Sequence, residues 1–554
     1  MAGYSGKLLM FFFLLSLSAI RGQQVYEHIS NLAVYEFMEE LANEKIIQIN
    51  SAVKPFSRTF IASCLQNAIK KKDELNPRQF KELMFYSNAF GLEINDSLIL
   101  NPRFNILKHS EGFGFDLNPF AGFYQDSIFR FQAQVLYGWE LYSNSNGMER
   151  YNYGGLQAHA YINKNWGLYA SLRDNHYTEA FNKTDHLTTI QGGSFKGRDG
   201  GVDWSEMRGG ISYSWDWGNI GLLKDHFNWG TNQKGATFFS GRQPSFAHIS
   251  LKLKPAYWLE FNYIHGWLVS NVYDSIRSYP DSGGRYRTLM RNKWISANLF
   301  TITPIPGLNV SFGNSIIYSD QDYAAYWIPL FIYKPVDHTL NATNSLGESG
   351  QNSQLFLDIS LRLIKHLHVY GSLFSDEISF KRMGNPEEHN FFTWKGGFRL
   401  TNYPIKNLSV LGEYTFSLPG NYQHPISTTT YQSNLYNLGY YLGDNSDEIY
   451  IGLLYKPLRG LRIKADYSMA RHGPDVKYND ASASIVREPF MEYVAWKNKA
   501  ISLSLSYEIS SNVYVFAQAS HTQISGEEAL LRKWTPEFFH GDQLTISTGF
   551  NIGF

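Results

Sequence analysis

The feature that most constrains this fold is a long alternation of apolar and polar residues, which runs from about residue 129 to the C-terminus. In the last segment Leu544, Ile546 and Phe550 fall on one side, and polar residues or glycine stand between them. Residues 355–363 and 501–507 repeat the pattern. These segments run for about 10–14 residues, whereas strands of globular proteins are mostly about 5–6 residues long. A soluble β-sandwich would also alternate, but alternation over this length favours strands that cross a membrane.

The connections between these segments fall into two alternating classes. Eight short turns are predicted at Lys164-Asn165, Gly218-Asn219, Lys254-Pro255, Ile305-Pro306-Gly307, Lys365, Pro404-Ile405, Leu458-Arg459-Gly460 and Ser510-Ser511. Nine longer polar stretches alternate with them, at 143–149, 179–204, 228–244, 271–290, 320–353, 379–389, 418–445, 472–496 and 524–542. Such alternation is typical of an up-and-down transmembrane barrel, with short turns at one end and long loops at the other. The pattern predicts an all-β antiparallel barrel of about 18 strands, within a range of about 16–20.

Two segments leave the strand count open. Ala324–Lys334 is apolar enough to form a strand, but Pro329 lies inside it, so we place it in a loop. Residues 113–125 are aromatic and could form a lead-in strand before the barrel. The barrel is therefore predicted over residues 113–554.

Residues 1–22 have the features of a secretory signal peptide. Lys7 supplies the positive charge, and the apolar run from Leu8 to Ile20 follows it. Cleavage after Gly22 is expected; the alternative is an uncleaved anchor, although the apolar run is short for a membrane span of about 20 residues. Beyond residue 22 there is no run of 18 apolar residues, which excludes a helical membrane protein.

Residues 23–112 are predicted to form a small helical bundle with a linker, on the periplasmic side. The period there is helical, with one apolar face formed by Val34, Phe37, Met38 and Leu41. Ser57 is a candidate N-cap for a second helix, and Asn76-Pro77 is a start signal for a third. Gly91 is expected to end the third helix in the left-handed conformation.

Composition excludes several classes of protein. The 49 basic and 49 acidic residues cancel, whereas a nucleic-acid-binding protein would need a basic surplus. The single cysteine, Cys64, excludes an intramolecular disulfide. Aromatic residues make up 16% of the chain, which suits the Tyr and Trp girdles at the two membrane interfaces.

The chain ends on Phe554 after a period-two segment. This resembles the terminal signal by which outer-membrane barrels are handed to the barrel assembly machinery. Together with the signal peptide it predicts a location in the outer membrane of a bacterium with two membranes, where the partners are outer-membrane lipid and that machinery.

The order of signal peptide, helical bundle and barrel of about 18 strands resembles the Wzi family of capsule assembly proteins. Within Leu222–Leu251, the steps Trp229-Gly230 and Ser240 to Pro244 are similar to the family's strand-loop-strand motif. The bundle motif that begins at Lys54-Pro55-Phe56-Ser57 also fits. The resemblance implies an outer-membrane barrel that binds or organises capsular polysaccharide and is not an enzyme.

Two polar stretches contain the residues that we predict to bind polysaccharide. Aromatic rings stack on the apolar faces of sugars, and arginine binds carboxylates bidentately, which suits acidic polysaccharides. The candidates are Trp229, Lys234, Arg242, Arg277, Arg285, Tyr286, Arg287 and Arg291. The alternative is that these charges pair inside a polar lumen and that the aromatic residues fill a folded loop.

No catalytic residue, metal ligand or cofactor is predicted. The histidines lack HExxH spacing, and no GxSxG nucleophile elbow is present. A second hypothesis is a porin-like channel, because a barrel of this size conducts unless loops block it. An outer-membrane lipase or protease is a third and less favoured hypothesis.

Overall fold

The computed structural model describes residues 23–94, 112–344, 351–377, 390–476 and 489–553. The predicted signal peptide, most of the predicted linker and Phe554 lie outside these residues. None of the helices in the described ranges is both long and apolar enough to span a membrane.

Three helices come first, as the sequence predicts: α1 (Leu32–Asn43), α2 (Arg58–Ile69) and α3 (Pro77–Ala89). The predicted apolar face of α1 is fully buried in a core shared by the three helices. Ser57 caps α2 by accepting a hydrogen bond from the Phe60 N–H, and Asn76 forms a capping box with Gln79. The prediction for Gly91 is wrong: it is not left-handed, because its N–H bonds to the Asn88 carbonyl in a tight turn.

A closed antiparallel barrel of 18 strands follows. Its strands are β1 (Phe129–Asn144), β2 (Gly147–Ile162), β3 (Trp166–Tyr177), β4 (Gly201–Trp215), β5 (Gly218–Asp225), β6 (Phe246–Ala256), β7 (Leu259–Tyr273), β8 (Met290–Ile305), β9 (Leu308–Ser319), β10 (Asn352–Leu361), β11 (Leu367–Glu377), β12 (Phe391–Thr401), β13 (Leu408–Ser417), β14 (Ser446–Tyr455), β15 (Leu461–His472), β16 (Trp496–Ser510), β17 (Val513–Gly526) and β18 (Gly541–Ile552). Strand β18 pairs with β1 from Ile546↔Ser143 to Ile552↔Tyr137 and closes the wall.

The predicted lead-in strand is a hairpin, formed by Gly112–Leu117 and Phe120–Gln125. It pairs with β1 from Gly122↔Ala133 to Gln125↔Arg130, beyond the residues that pair with β18. The hairpin therefore continues the wall at the closure point without adding a nineteenth full strand.

The eight predicted short turns all join neighbouring strands at one end of the barrel, which we call the short-turn end. Two are displaced along the chain, because the turn residues are Asp216-Trp217 and Tyr257-Trp258. At the opposite, long-loop end, the predicted long stretch 143–149 is wrong: β1 and β2 are joined there by only Ser145-Asn146. Ala324–Lys334 lies outside the barrel strands as predicted, and helix α4 (Tyr333–Asn344) follows its 3-10 turn.

The two faces of the wall differ as the alternation predicts. Leu544, Ile546 and Leu503 point outwards and are about half exposed. Inward-facing Asp358, Lys395 and similar polar residues are buried. An apolar outer face with every strand paired is the architecture that allows a sheet to cross a bilayer.

Segments from both ends fill the interior. The helices enter from the short-turn end, where Glu36 of α1 pairs with Arg462 of the wall at 2.7 Å. Loops 226–245 and 418–445 fold inwards and form one apolar core with inward-facing residues of strands β6 to β11 and β15 to β17. A third segment, helix α5 (Glu528–Trp534), adds Trp534 to this core. These segments therefore occupy much of the described part of the lumen.

Candidate functional site

The eight candidate residues separate into two groups. Trp229, Lys234 and Arg242 lie on the inward loop 226–245, and the other five lie on or beside the loop between β7 and β8. The structure does not bring the two groups into one site.

Trp229 has a structural role inside the barrel, because it is only 2% exposed. Residues Asn228–Trp229 pair with Val53–Lys54, the segment that leads into α2. The Trp229 ring meets Phe239 edge-on, with ring centroids 5.3 Å apart. This tryptophan thus joins the helices to the inward loop.

Lys234 and its neighbours fasten the inward loop to acidic residues of the wall. The Thr231 N–H donates to Asp358 at 2.8 Å, and the Gln233 and Lys234 N–H groups donate to Glu413 at 2.6 and 3.1 Å. The Lys234 ammonium pairs with Glu448 at 2.9 Å. These carboxylates satisfy backbone donors that would otherwise be orphaned inside the barrel.

Arg242 also has internal partners. Its guanidinium donates to the carbonyl oxygens of Lys183 and His186 at 2.8 and 2.7 Å and lies over the Tyr436 ring. It therefore ties three loops together, and its charge is directed away from solvent.

Four members of the second group lie on an exposed hairpin, residues 274–289, at the long-loop end, and Arg291 follows it on β8. Two of its members have acidic partners: Arg277 pairs with Asp274 at 2.6 Å, and Arg291 pairs with Asp320 at 3.4 Å. A two-residue ladder, Tyr279↔Arg287 and Pro280↔Tyr286, forms the stem of the hairpin.

Arg285 and Arg287 differ from the other candidates, because neither guanidinium has a side-chain partner among the residues that the structure describes. Both are exposed. Tyr286 beside them is 58% exposed and shares a hydrogen bond of 2.9 Å with the Tyr273 hydroxyl, which fixes its ring. Tyr279 is also exposed, directly across from Arg287. This part of the hairpin, Arg285–Arg287 with Tyr279, presents free positive charge next to two flat rings.

A cavity at the short-turn end was missed from the sequence. It has a volume of about 370 Å³ and lies between the α1–α2 connection and the wall of β5 to β9. Four cationic side chains line it, Lys45, Lys252, Lys254 and Arg362, against one carboxylate, Glu260. The sequence contained a signal for this cationic lining, because the alternation of β6 places Lys252 and Lys254 together on the lumen side.

One buried set resembles a metal site in composition only. Ligand atoms of His28, Asp225 and His226 lie within 4.8 Å of one another. However, Asp225 accepts hydrogen bonds from Arg208 at 3.1 Å and from Tyr169 at 2.7 Å. A guanidinium on the same carboxylate repels a divalent cation, so the donor set favours a hydrogen-bonded network.

Comparison with known proteins supports the architecture. No family model matches the chain, and no curated protein sequence matches it. Among solved structures, the chain is similar to Wzi of Escherichia coli, an outer-membrane, carbohydrate-binding β-barrel involved in group 1 capsule assembly. The identity is 12% and the TM-score 0.53, over 96% of this chain and 99% of that one.

The fold is that of a Wzi-like outer-membrane barrel. The resemblance noted in the sequence is therefore confirmed for the architecture. More distant similarity extends to OccK3 of Pseudomonas aeruginosa, with 11% identity and a TM-score of 0.41 over 76% of this chain and 95% of that one. OccAB4 of Acinetobacter baumannii has 10% identity and a TM-score of 0.41 over 77% and 98%. The predicted location in the outer membrane is confirmed.

Proposed function

We propose that this chain is a non-catalytic outer-membrane barrel that binds or organises acidic surface polysaccharide through its 274–289 hairpin. The observation that supports this most directly is the pair of exposed guanidinium groups of Arg285 and Arg287, neither of which has a side-chain partner within the described ranges, beside Tyr279 and Tyr286. Carboxylates of uronic-acid units are suitable partners for such arginines, and sugar rings are suitable partners for the tyrosines.

The filled interior favours this role over the porin-like alternative. Loops 226–245 and 418–445 share one apolar core with the wall, and the helices form buried ion pairs with it. A conducting barrel of this size would need an aqueous path, and these described segments occupy space that such a path would need. The known carbohydrate binding of the structurally similar Wzi agrees with the proposal.

The orientation of the barrel in the membrane follows from the lengths of its connections. Long loops of outer-membrane barrels face the cell exterior, and short turns face the periplasm. In this orientation the hairpin meets surface polysaccharide, and the helical segment within residues 23–112 lies on the periplasmic side. We further propose that residues 1–22 are removed on export and that Phe554 is read by the barrel assembly machinery.

A binding experiment with purified barrel tests the hairpin. The probes are the host's own surface polysaccharide, alginate as a uronic-acid polymer and dextran as a neutral polymer. We expect saturable binding to the acidic polymers, weaker at high salt, and none to dextran. In the Arg285→Gln/Arg287→Gln variant we expect binding to be about tenfold to a hundredfold weaker, because two charge-assisted contacts are lost.

Two control variants remove positive charge elsewhere. Lys70→Gln/Lys72→Gln removes the same charge from the exposed end of α2, and Lys254→Gln removes a cation from the short-turn cavity. Both should bind as the natural protein does. Loss of binding in Lys254→Gln with an unaffected hairpin variant would contradict the proposal and assign the polymer to the cavity.

A further inference from the structure

The lipid-facing wall contains a polar patch at strands β7 to β9. The outward residues Asn298 and Asn314 are paired in register with each other, and the row continues to Leu355 on β10. In the other direction it continues through Tyr263 to Leu251 on β6. Because outward leucines end the row on both sides, the two asparagines lie at the depth of the apolar belt. Uncovered amides at this depth would face hydrocarbon, which is unfavourable because their hydrogen-bonding groups would have no partner.

Residues 321–340, which we call the flap, cover this patch from outside the barrel. The Asn298 amide donates to the carbonyl oxygens of Pro329 and Phe331 at 2.8 and 2.9 Å. The Tyr333 N–H donates to the Asn314 side chain at 2.9 Å. Asn298 is completely buried although it points out of the barrel. The wall amides therefore satisfy irregular backbone of the flap, and the flap in turn satisfies the amides.

Aromatic packing holds the flap against the wall. The Trp327 ring stacks on His265 of β7, with centroids 3.8 Å apart. Higher on the wall, Tyr326 and Tyr333 join Trp294 of β8 and Tyr318 of β9 in a separate buried cluster. The flap is thus a packed layer on the outer face and not an extended loop above the barrel.

The surface that the flap presents outwards is apolar. Within the run from Ile328 to Ile332, Leu330 is 64% exposed and Ile332 is 63% exposed. Ile328 and Phe331 are exposed as well. The neighbouring strands have apolar outer faces. At the polar patch, the tip of the flap provides the apolar surface instead.

We propose that the flap is a membrane-inserted part of the wall, and that its tip, residues 328–332, binds the acyl chains of outer-membrane lipid. The polar patch beneath the tip provides the hydrogen-bond partners that allow non-strand backbone to lie at this depth. The proposal is independent of polysaccharide binding.

Site-directed fluorescence quenching tests the location. Cys64 is buried and is the only cysteine, so Cys64→Ala gives a background for single labels. Leu330→Cys carries a bimane probe in proteoliposomes of phosphatidylcholine with nitroxide-labelled acyl chains. Leu503→Cys on β16 is the lipid-facing control, and Ile276→Cys, 90% exposed on the hairpin, is the aqueous control.

We expect the Leu330 probe to be quenched by the acyl-chain nitroxide as strongly as the Leu503 probe and to be protected from aqueous iodide. Quenching by iodide as at Ile276 would overturn the proposal. Protection from both quenchers would also overturn it, because a second protein surface, such as another copy of the chain, would then cover the tip.

A second variant tests the patch beneath the tip. Asn298→Leu removes the donor to Pro329 and Phe331, whereas Asn292→Leu makes the same change on the same face of β8, at a side chain without a hydrogen bond to the described flap. A nitroxide at Leu330→Cys should become more mobile in Asn298→Leu and stay unchanged in Asn292→Leu. Equal mobility in both variants would contradict the assigned role of Asn298.

Discussion

At the scale of the residue, Arg58 is a buried charge that joins two carboxylates of the helical segment. Its buried guanidinium pairs with Glu27 at 2.6 Å and with Glu93 at 2.7 Å, and Glu93 also accepts from the Tyr161 hydroxyl of β2. Replacement by Met would remove the guanidinium that pairs with both of these buried carboxylates. We expect Arg58→Met to lower the free energy of unfolding of the segment by about 3–5 kcal/mol, measured by denaturant titration in detergent.

The matched control is Arg532→Met, which removes an exposed arginine paired with Glu528 one helical turn away. Such a surface pair contributes about 0.3–0.5 kcal/mol, so the titration should barely change. Similar effects of the two substitutions would contradict the role given to Arg58.

Asn76 offers a smaller test at the start of α3, where its amide also donates to the Asn407 side chain in the turn before β13 at 3.2 Å. Its side chain accepts from the Gln79 N–H at 3.0 Å, and the Gln79 side chain accepts from the Asn76 N–H at 2.9 Å. Asn76→Ala should cost about 1 kcal/mol by the same titration, because α3 loses its cap. Asn76→Ser should recover most of this loss, and equal losses in both variants would show that the cap is not the cause.

Residues whose role is local could be predicted from the sequence, and residues whose role depends on distant partners could not. The caps at Ser57 and Asn76 need only neighbours in the chain. By contrast, Trp229 and Arg285 both occur in polar stretches with aromatic residues, and only the fold buries the first and exposes the second.

At the scale of the element, α1 is attached to the barrel by three carboxylates. Glu36 pairs with Arg462, Glu39 with Arg362 and Glu40 with Lys456. Burial alone would raise the pKa of each carboxyl group, but the cationic partners outweigh burial and hold each pKa below its ordinary value.

The lowered pKa values predict how the attachment responds to acid. A carboxyl group with a lower pKa in the folded state stabilises that state above its unfolded pKa of about 4.3, and the stabilisation is lost as the pH falls towards the folded value. We expect hydrogen exchange of α1, compared at equal intrinsic rate, to be better protected at pH 7 than at pH 3. Protection that is unchanged at pH 3 would contradict the ionic attachment.

The larger elements follow from periodicity, and their exceptions have physical causes. The strands β1 to β18 follow from alternation, because each has one face in lipid. Where the flap covers β7 to β9, outward positions include His265, Asn298 and Asn314, so the alternation fails there. The periodicity of a strand cannot show that a distant segment folds over its outer face.

At the scale of the whole molecule, the interior is closed by segments from both ends. The inward loop 226–245 bonds to Asp358 and Glu413 through its backbone N–H groups. Replacing residues 231–241 by a short Gly-Ser linker should open an aqueous path and raise single-channel conductance over that of the natural protein. Heat-modifiable migration on gels would verify that the variant still forms a barrel. Unchanged conductance in a folded variant would show that other segments close the lumen.

We propose that this outer-membrane barrel binds acidic surface polysaccharide and does not conduct. The most direct measurement is binding of the host's own surface polysaccharide to the detergent-purified barrel, with planar-bilayer conductance recorded from the same preparation. We expect saturable, salt-sensitive binding and no stable pore of porin size. A stable open pore without saturable binding would contradict it.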